Sequence, residues 1–378
     1  MNSFFKKYKL SDLHIVKSLF LLALPISALA GLYYHLQYET YSHTLLIGMV
    51  IMYLLNIFAI SAGYHRLFAH RAYKASKAIK AFLLVVGAST LENSVLEWSS
   101  EHRTHHKYED TDKDPYNIKE GFFFAHIGWI MLKNKKEQFI AKDLANDPMV
   151  AFQHKYYYAI MIISNLIPFA VLYYLTNSLI GSLTFGVLLR LLIVHHVTYC
   201  INSYCHTFGT QPYTDKNTAK DSGLISLLTF GESYHNFHHT FQLDYRNGYR
   251  WFNIDMTKWI VFTWEKIGLA SNLKRASDAQ VLAARMTMKA QKTATRYEEF
   301  SEDLRIKLDE LKQKTIDQKK YLINLKKEYK LIAKNKIDEA SHKKLEQLKI
   351  DIKRMKSNFH YSYNEWKNYL KYAPIAFA

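Results

Sequence analysis

Four apolar stretches constrain this chain more than anything else in it. Residues 15–34, 44–63, 157–176 and 179–201 are each oily and long enough to cross a bilayer as a helix, which takes roughly 20 residues. They pair into two hairpins. The joining segments, 35–43 and 176–178, contain no Lys or Arg, whereas the start at 4–9, the middle segment 66–155 and the tail are rich in both. Positive-inside bias then places both termini and the long middle segment in the cytoplasm. The first stretch lacks a small-residue cleavage pattern and has membrane partners downstream, so it reads as a span rather than a signal peptide. Two shorter apolar pieces, 79–91 and 121–132, fall short of a span and read as interfacial or core helices.

Composition removes several classes. A chain that is 49% hydrophobic and 15% aromatic is not disordered, and 13 Gly with 6 Pro in 378 residues exclude collagen-like and low-complexity chains. Cys200 and Cys205 cannot build a disulfide framework, which points to a reducing compartment. Each could bind metal, but lone Cys at a helix end is usually inert. The formal charge of +17 suits nucleic acid, membrane surfaces or phosphates alike. Because much of it flanks the spans, a membrane-side role is expected and a nucleic-acid partner is not.

From about Gln291 the chain turns to Lys, Glu, Gln, Leu and Ile. Leu308, Leu311, Leu322, Leu325, Tyr329 and Ile332 keep one a/d register, and Leu345, Leu348, Ile352, Met355 and Phe359 a second, with Asp338 or Ser341 placed to cap the second helix. The expected fold is thus an all-α integral membrane protein. Four transmembrane helices form two hairpins, a cytoplasmic helical cap carries a His-rich di-metal site, and a C-terminal helical hairpin or coiled coil follows. The domains are 1–285 and 286–378. The plain reading of the extension is a solvated helix pair; the sharper one is self-association or partner binding.

Nine of the 18 His cluster near span ends on the expected cytoplasmic side. His65 and His70 follow the second span, His102, His105 and His106 lie in the middle segment, and His206 with His235, His238 and His239 follow the fourth. On a helix, i, i+3 and i+4 share a face, so each HxxHH run should point one way. His65 and His70, five apart, sit about 140° round an ideal helix and need a bent helix end to flank one site. Nine imidazoles exceed one metal; two metals with four or five nitrogens each fit, and imidazole suits Zn, Cu, Fe or Ni. Glu97, Glu101, Glu109, Asp110, Asp112, Asp114 and Glu232 are near enough in sequence to orient the rings. His14, His35, His43, His126, His154, His342 and His360 read as ordinary hydrogen-bonding side chains.

These motifs, in order, resemble the membrane fatty acid desaturases of the Δ9 acyl-CoA (stearoyl-CoA) type. The likeness rests on GYHRLFAHRAYK at 63–74, Glu97-Trp98 ahead of HRTHH at 102–106, Asp114-Pro115 followed by GFFF at 121–124, Asn202-Ser203 ahead of His206, and GESYHNFHHTF at 231–241, and it runs to roughly Ala283. The extension has no counterpart in the family pattern. The resemblance implies two iron ions (Fe2+/Fe3+) held by the nine His, with Asn202 reaching one metal through water and O2 as co-substrate. It implies removal of two hydrogens from adjacent methylenes of a saturated long-chain (C16–C18) acyl-CoA, for unsaturated fatty acid biosynthesis. Asn93 and Thr198 would sit near the thioester, and Trp98 and Tyr199 would line the kink in the acyl channel. Tyr199 departs from the Trp or other aromatic usual there. Tyr53 and Ile57, about three and two turns before His65, match positions that close the channel. Ile57 is bulkier than the Ala of some relatives, so C16 chains should be preferred over C18.

The residues agree with the parts they can speak to. An unactivated C–H bond leaves side chains little acid–base work, so a redox metal must supply the oxidant while protein positions the chain and excludes water. Soluble carboxylate di-iron bundles need two Glu-x-x-His pairs, and Glu232 to His235 is the one among the clusters. No haem-binding His-Pro-Gly-Gly run appears, so electrons must come from a separate donor of cytochrome b5 or ferredoxin type and its reductase. An acyl-lipid desaturase shares the His pattern, and a basic surface suits anionic lipid head groups as well as CoA. A membrane di-iron hydroxylase normally has a different pattern. A divalent-cation transporter would need ionisable groups along its spans rather than at their ends. Arg190 is the exception inside a span and reads as a structural partner for an acid or a carbonyl; His195 and His196 read as lying outside the ligand set.

Overall fold

The computed structural model describes residues 2–40, 42–133, 140–296, 300–334 and 338–376. Nearly all of its regular structure is helical; among these residues the sheet is one short antiparallel ladder, Lys74–Ala75 against Ala270–Ser271. The chain divides into two compact units, Met1–Gln211 with Lys216–Arg275, and Pro212–Asp215 with Ala276–Ala378.

In the first unit four helices are long and apolar enough to cross a membrane: Ile15–Tyr38, His43–Ala69, Tyr157–Thr176 and Leu179–Thr207. The first and third bury 22% and 17% of their apolar windows, the second and fourth 50% each, so the second and fourth form the inner pair. These two overshoot the apolar runs at 44–63 and 179–201. Residues 56–70 are all buried, so protein rather than lipid or water surrounds the helix where its sequence turns polar. From Ala59 to Ala69 the winding is π-helical, with His70 N–H bonded to the His65 carbonyl at 3.0 Å.

Backbone groups in lipid must be satisfied within the protein, and the ends of the spans follow that rule. Asn177 closes the third span in the left-handed conformation (φ 51°), and Ser178 caps the next helix by accepting from Gly181 N–H at 2.9 Å. The Glu39 carboxylate ties the hairpin ends together, facing His35 Nδ1 at 2.7 Å and accepting from Gly181 N–H at 3.1 Å and from the Ser178 hydroxyl. Arg190 is fully buried, and its guanidinium donates to the carbonyls of Gly186 (2.9 Å) and Ser89 (3.3 Å) and to the side-chain oxygens of Asn56 and Asn165. Its partners are therefore neutral acceptors, one on its own span, two on neighbouring spans and one at the end of the helix Lys77–Ala88.

The piece expected at 79–91 is the helix Lys77–Ala88, capped by Ser76, which packs so closely on the π-helical segment that a Cβ on Gly87 would lie 2.3 Å from the Tyr64 ring. The piece at 121–132 becomes two short turns, Phe122–His126 and Gly128–Met131. Helix Val95–Tyr108 starts with a capping box between Ser94 and Glu97.

The second unit holds helices Asp278–Arg296, Glu302–Lys334 and Glu339–Ala376. The last two form the hairpin. Leu308, Leu311, Leu322, Leu325, Leu345 and Leu348 are buried, while Tyr329, Ile332, Ile352, Met355 and Phe359 are half-buried. Asp338 provides the cap, accepting from Ser341 N–H at 2.8 Å. The densest core lies at the other end, where Met286 of the first helix joins Leu304, Leu308, Leu311, Trp366 and Leu370.

Candidate metal centre

Four pieces of backbone bring the nine clustered His together. The π-helical end of the second span supplies His65 and leads into His70; helix Val95–Tyr108 supplies His102, His105 and His106; the end of the fourth span supplies His206; helix His235–Thr240 supplies the rest. They form two groups, His65, His70, His102, His106 and His238, and His105, His206, His235 and His239, with ligand atoms within 4.8 Å of one another in each. Each HxxHH run is divided between them. The i, i+4 pairs His102/His106 and His235/His239 stay together, while the i+3 members, His105 and His238, cross to the other group. The expectation that each run serves one direction is corrected in this respect. The wide angle between His65 and His70 is removed by i→i+5 winding, which returns residues five apart to nearly one face; their ring centroids are 4.7 Å apart.

Acids hold the outer nitrogens. His65 Nδ1 lies 2.6 Å from Glu232 Oε2, His105 Nδ1 lies 2.9 Å from Asp114 Oδ1, and His239 Nδ1 lies 2.8 Å from Glu109 Oε1. His206 Nδ1 meets the Thr218 hydroxyl at 2.7 Å, itself fixed by Asp110, and His102 Nδ1 faces the Tyr116 hydroxyl at 3.2 Å. An imidazole whose Nδ1–H serves an acid presents a lone pair at Nε2. Yet the Nε2 atoms face one another: His65 to His238 at 3.1 Å, His70 to His102 at 2.8 Å, His106 to His238 at 3.0 Å, His235 to His206 at 3.1 Å and His239 to His235 at 3.0 Å. Metal–imidazole bonds of roughly 2.1 Å at right angles give nitrogen–nitrogen edges of about 3 Å. His105 Nε2 is buried with no hydrogen-bond partner at all. Converging lone pairs and an orphaned nitrogen fit a cation in each group.

Electrostatics keeps the donors competent. Burial, reinforced by the neighbouring imidazoles, holds His70, His102, His106, His235, His238 and His239 well below the usual histidine pKa and so neutral. Burial alone would raise Glu232, but Arg66 and His65 outweigh it and hold the carboxyl at about 2. Arg66 donates to Glu232 at 2.8 Å and lies 3.0 Å from Asp255, which caps helix Met256–Lys266.

Of the acids flagged by sequence proximity, Glu232, Asp114 and Glu109 reach ligand rings and Asp110 acts through Thr218. Glu97 is instead the capping-box partner of Ser94, and Glu101 lines the neighbouring cavity. Tyr116, Thr218, Asn247 and Asp255 carried no sequence signal; Arg66, inside the HRLFAH run, did.

Beside the imidazoles lies a cavity of about 180 Å³ whose wall includes His65, His102, His235, Asn93, Trp98, Thr198, Tyr199 and Asn202. Tyr53 and Ile57 are outside that wall, which reaches Ile60; Ile57 is buried in the hydrophobic core, and the Tyr53 hydroxyl donates to the Leu228 carbonyl at 2.8 Å. Trp98 stacks on His102 with centroids 5.0 Å apart. His195 and His196 join neither group: His195 Nε2 meets the Thr90 carbonyl at 2.7 Å and His196 pairs with His126 at 2.9 Å. Cys205 is buried and Cys200 half-buried, both free thiols.

Residues 41–267 match the family model described as fatty acid desaturase. A probable acyl-CoA desaturase of Schizosaccharomyces pombe is 41% identical over 263 residues, covering 68% of this chain and 54% of that protein. Acyl-CoA desaturase 1 of Saccharomyces cerevisiae is 39% identical over 232 residues, 60% of this chain and 46% of its own length. Delta(9)-fatty-acid desaturase fat-6 of Caenorhabditis elegans is 36% identical over 267 residues, 68% and 77% respectively. The chain spans about half the length of the two yeast relatives.

Proposed function

Because this chain belongs to the fatty acid desaturase family, we propose that it introduces a Δ9-type double bond into a saturated long-chain acyl-CoA, with iron in both imidazole groups. The observation that carries this reading is the pair of all-nitrogen groups beside a cavity whose lining is in large part apolar and includes His65 and His102 of one group and His235 of the other. Bound iron supplies the oxidising power for an unactivated C–H bond, with O2 as the terminal electron acceptor. The chain's own residues bind, orient and exclude water. The nine His hold the metals, and Asn202 reaches one of them through water. Trp98 and Tyr199 bend the acyl chain past the imidazoles, Asn93 and Thr198 hold the thioester end, and Tyr53 and Ile57 close the far end. Two electrons come from a separate donor of cytochrome b5 or ferredoxin type with its reductase. The His groups and both termini face the cytoplasm, where CoA and the donor are found.

Purified protein loaded with iron and supplied with stearoyl-CoA or palmitoyl-CoA, a reduced donor and O2 should yield the monounsaturated product and carry two irons per chain. No product, or product from phospholipid alone, overturns the acyl-CoA reading, the second outcome in favour of an acyl-lipid desaturase. Labelled oxygen in the product marks a hydroxylase. Metal uptake into vesicles without O2-dependent turnover marks a transporter. Palmitoyl-CoA should be the better substrate, and Ile57→Ala should move the preference toward stearoyl-CoA; a C18:1-dominant product unchanged by Ile57→Ala defeats that assignment.

A further inference from the structure

Three leucines outside the four spans are turned out of the protein. Residues 223–230 read GLISLLTF; Leu224, at 82%, Leu227 and Leu228 are exposed, while Ser226, Thr229 and Phe230 are buried. Helix-like turns, with Thr229 N–H bonded to the Ile225 carbonyl, put residues spaced i, i+3 and i+4 on one face, here the outer one. A contiguous exposed apolar patch marks an interaction surface, and its surroundings identify what meets it.

The segment lies against the second span. Tyr53 and Phe58 both belong to the apolar run 44–63. The Tyr53 hydroxyl donates to the Leu228 carbonyl at 2.8 Å, and the Phe230 and Phe58 rings lie 6.3 Å apart. On the same helix Ile47, Ile51 and Leu54 are exposed, so lipid reaches the span up to the level at which the segment joins it. From residue 56 onward the span is buried, and elements that displace lipid from it must meet that lipid themselves. The backbone suits this position. The carbonyls of residues 225–228 are all met within the protein, by the N–H groups of Thr229 (3.0 Å), Gly231 (2.9 Å) and Phe230 (3.5 Å) and by the Tyr53 phenol.

Helix Met256–Lys266 extends the surface. Its Trp264 ring lies 5.3 Å from Phe58, while Trp259 and Phe262 face outward and are exposed. Lys266 Nζ stands 5.0 Å and the Arg275 guanidinium 5.8 Å from the Phe262 ring. Aromatic rings edged by cations compose a surface for the boundary between acyl chains and phosphates.

We propose that Leu224, Leu227 and Leu228, with Trp259 and Phe262 beside them, form a membrane-inserted surface separate from the four spans. It is seated in the phospholipid leaflet on the side of the His groups, with Lys266 and Arg275 at the level of the phosphates. This surface stands apart from the acyl cavity and does not depend on which substrate the chain takes.

The test attaches an environment-sensitive nitrobenzoxadiazole label to Leu224→Cys and, separately, to Leu227→Cys in the full chain, reconstituted in phosphatidylcholine nanodiscs holding a single chain. Wild type, with Cys200 half-buried and Cys205 buried, measures background labelling. Ile51→Cys on the second span is the lipid reference. Lys343→Cys in the charged hairpin, where the side chain is 79% exposed, is the water reference. At both leucine positions, phosphatidylcholine spin-labelled near its head group should quench the emission several-fold more than aqueous iodide does, as at Ile51→Cys, and the emission should lie to the blue of Lys343→Cys.

Iodide-dominated quenching at either position, matching Lys343→Cys, overturns the proposal. So does protection from iodide without quenching by the spin-labelled lipid, which means that protein covers the leucines. Protection that appears only when many chains share a vesicle marks a second copy as the occupant and likewise overturns the lipid assignment. If the leucine variants fail to fold, the label at Phe262→Cys on the neighbouring helix decides by the same comparison.

Discussion

One carboxylate, Glu232, couples a candidate ligand to the framework. It meets His65 Nδ1 at 2.6 Å, Arg66 at 2.8 Å, Asn247 at 2.6 Å and the Ser61 hydroxyl, all within the buried core. The charge matters more than the shape, because Arg66 is a buried cation that Asp255 alone would then have to balance. Glu232→Gln should therefore lower the unfolding midpoint and hold metal about 10–100-fold more weakly. Iron retained against a graded series of chelator concentrations measures this, and wild-type retention would remove Glu232 from the centre. Arg190 is likewise a framework residue: its four partners are neutral acceptors, Gly186 on its own span and Asn56, Ser89 and Asn165 on three neighbouring segments, with no ligand ring among them.

At the scale of elements, the centre depends on two irregular joints. The π-helical end of the second span brings His65 and His70 onto one site. Gly231 then launches the segment carrying Glu232 and His235. Its φ is +96°, and a Cβ there would lie 2.6 Å from Asp255 Cγ and 2.8 Å from Asp255 Cα, which is backbone and cannot step aside. Gly231→Ala should cost about 1–3 kcal/mol from overpacking and a further ~1–2 from the positive φ. It should lower both the thermal midpoint in detergent and iron content. Gly223, with nothing within 4 Å of a Cβ and no positive φ, is the matched control, and Gly223→Ala should be close to neutral. Equal midpoints for the two variants would contradict this account of the turn.

For the whole molecule, the first unit carries the spans, both His groups and its own core. The second has a separate core that includes Met286, so the division falls at Ala276, ahead of the composition change near Gln291. A chain ending at Arg275 should keep two metals and desaturase turnover within about twofold of the full chain; loss of metal on truncation would give the extension a part in building the centre. Because the ligand nitrogens of each group converge within 4.8 Å of one another and come from remote segments, metal removal should be felt globally. At free metal about 100-fold above its dissociation constant, binding contributes ~2.7 kcal/mol of stability. Chelation should lower the unfolding midpoint of wild type and leave a variant lacking His105, His206, His235 and His239 less affected.

The sequence by itself determined the spans, the helical extension and the set of His that cluster, because hydrophobic length and i, i+3, i+4 spacing are local properties. Periodicity could not divide each HxxHH run between two centres, since that depends on where distant helices place their own rings. It could not give Thr218 and Tyr116 their roles, because their partners His206 and His102 are 12 and 14 residues away across turns. Nor could it separate Glu97, which caps a helix, from Glu109, which holds a ligand. Local spacing determines what a residue can do; only the packing of remote segments decides which charge, hydroxyl or lone pair it meets.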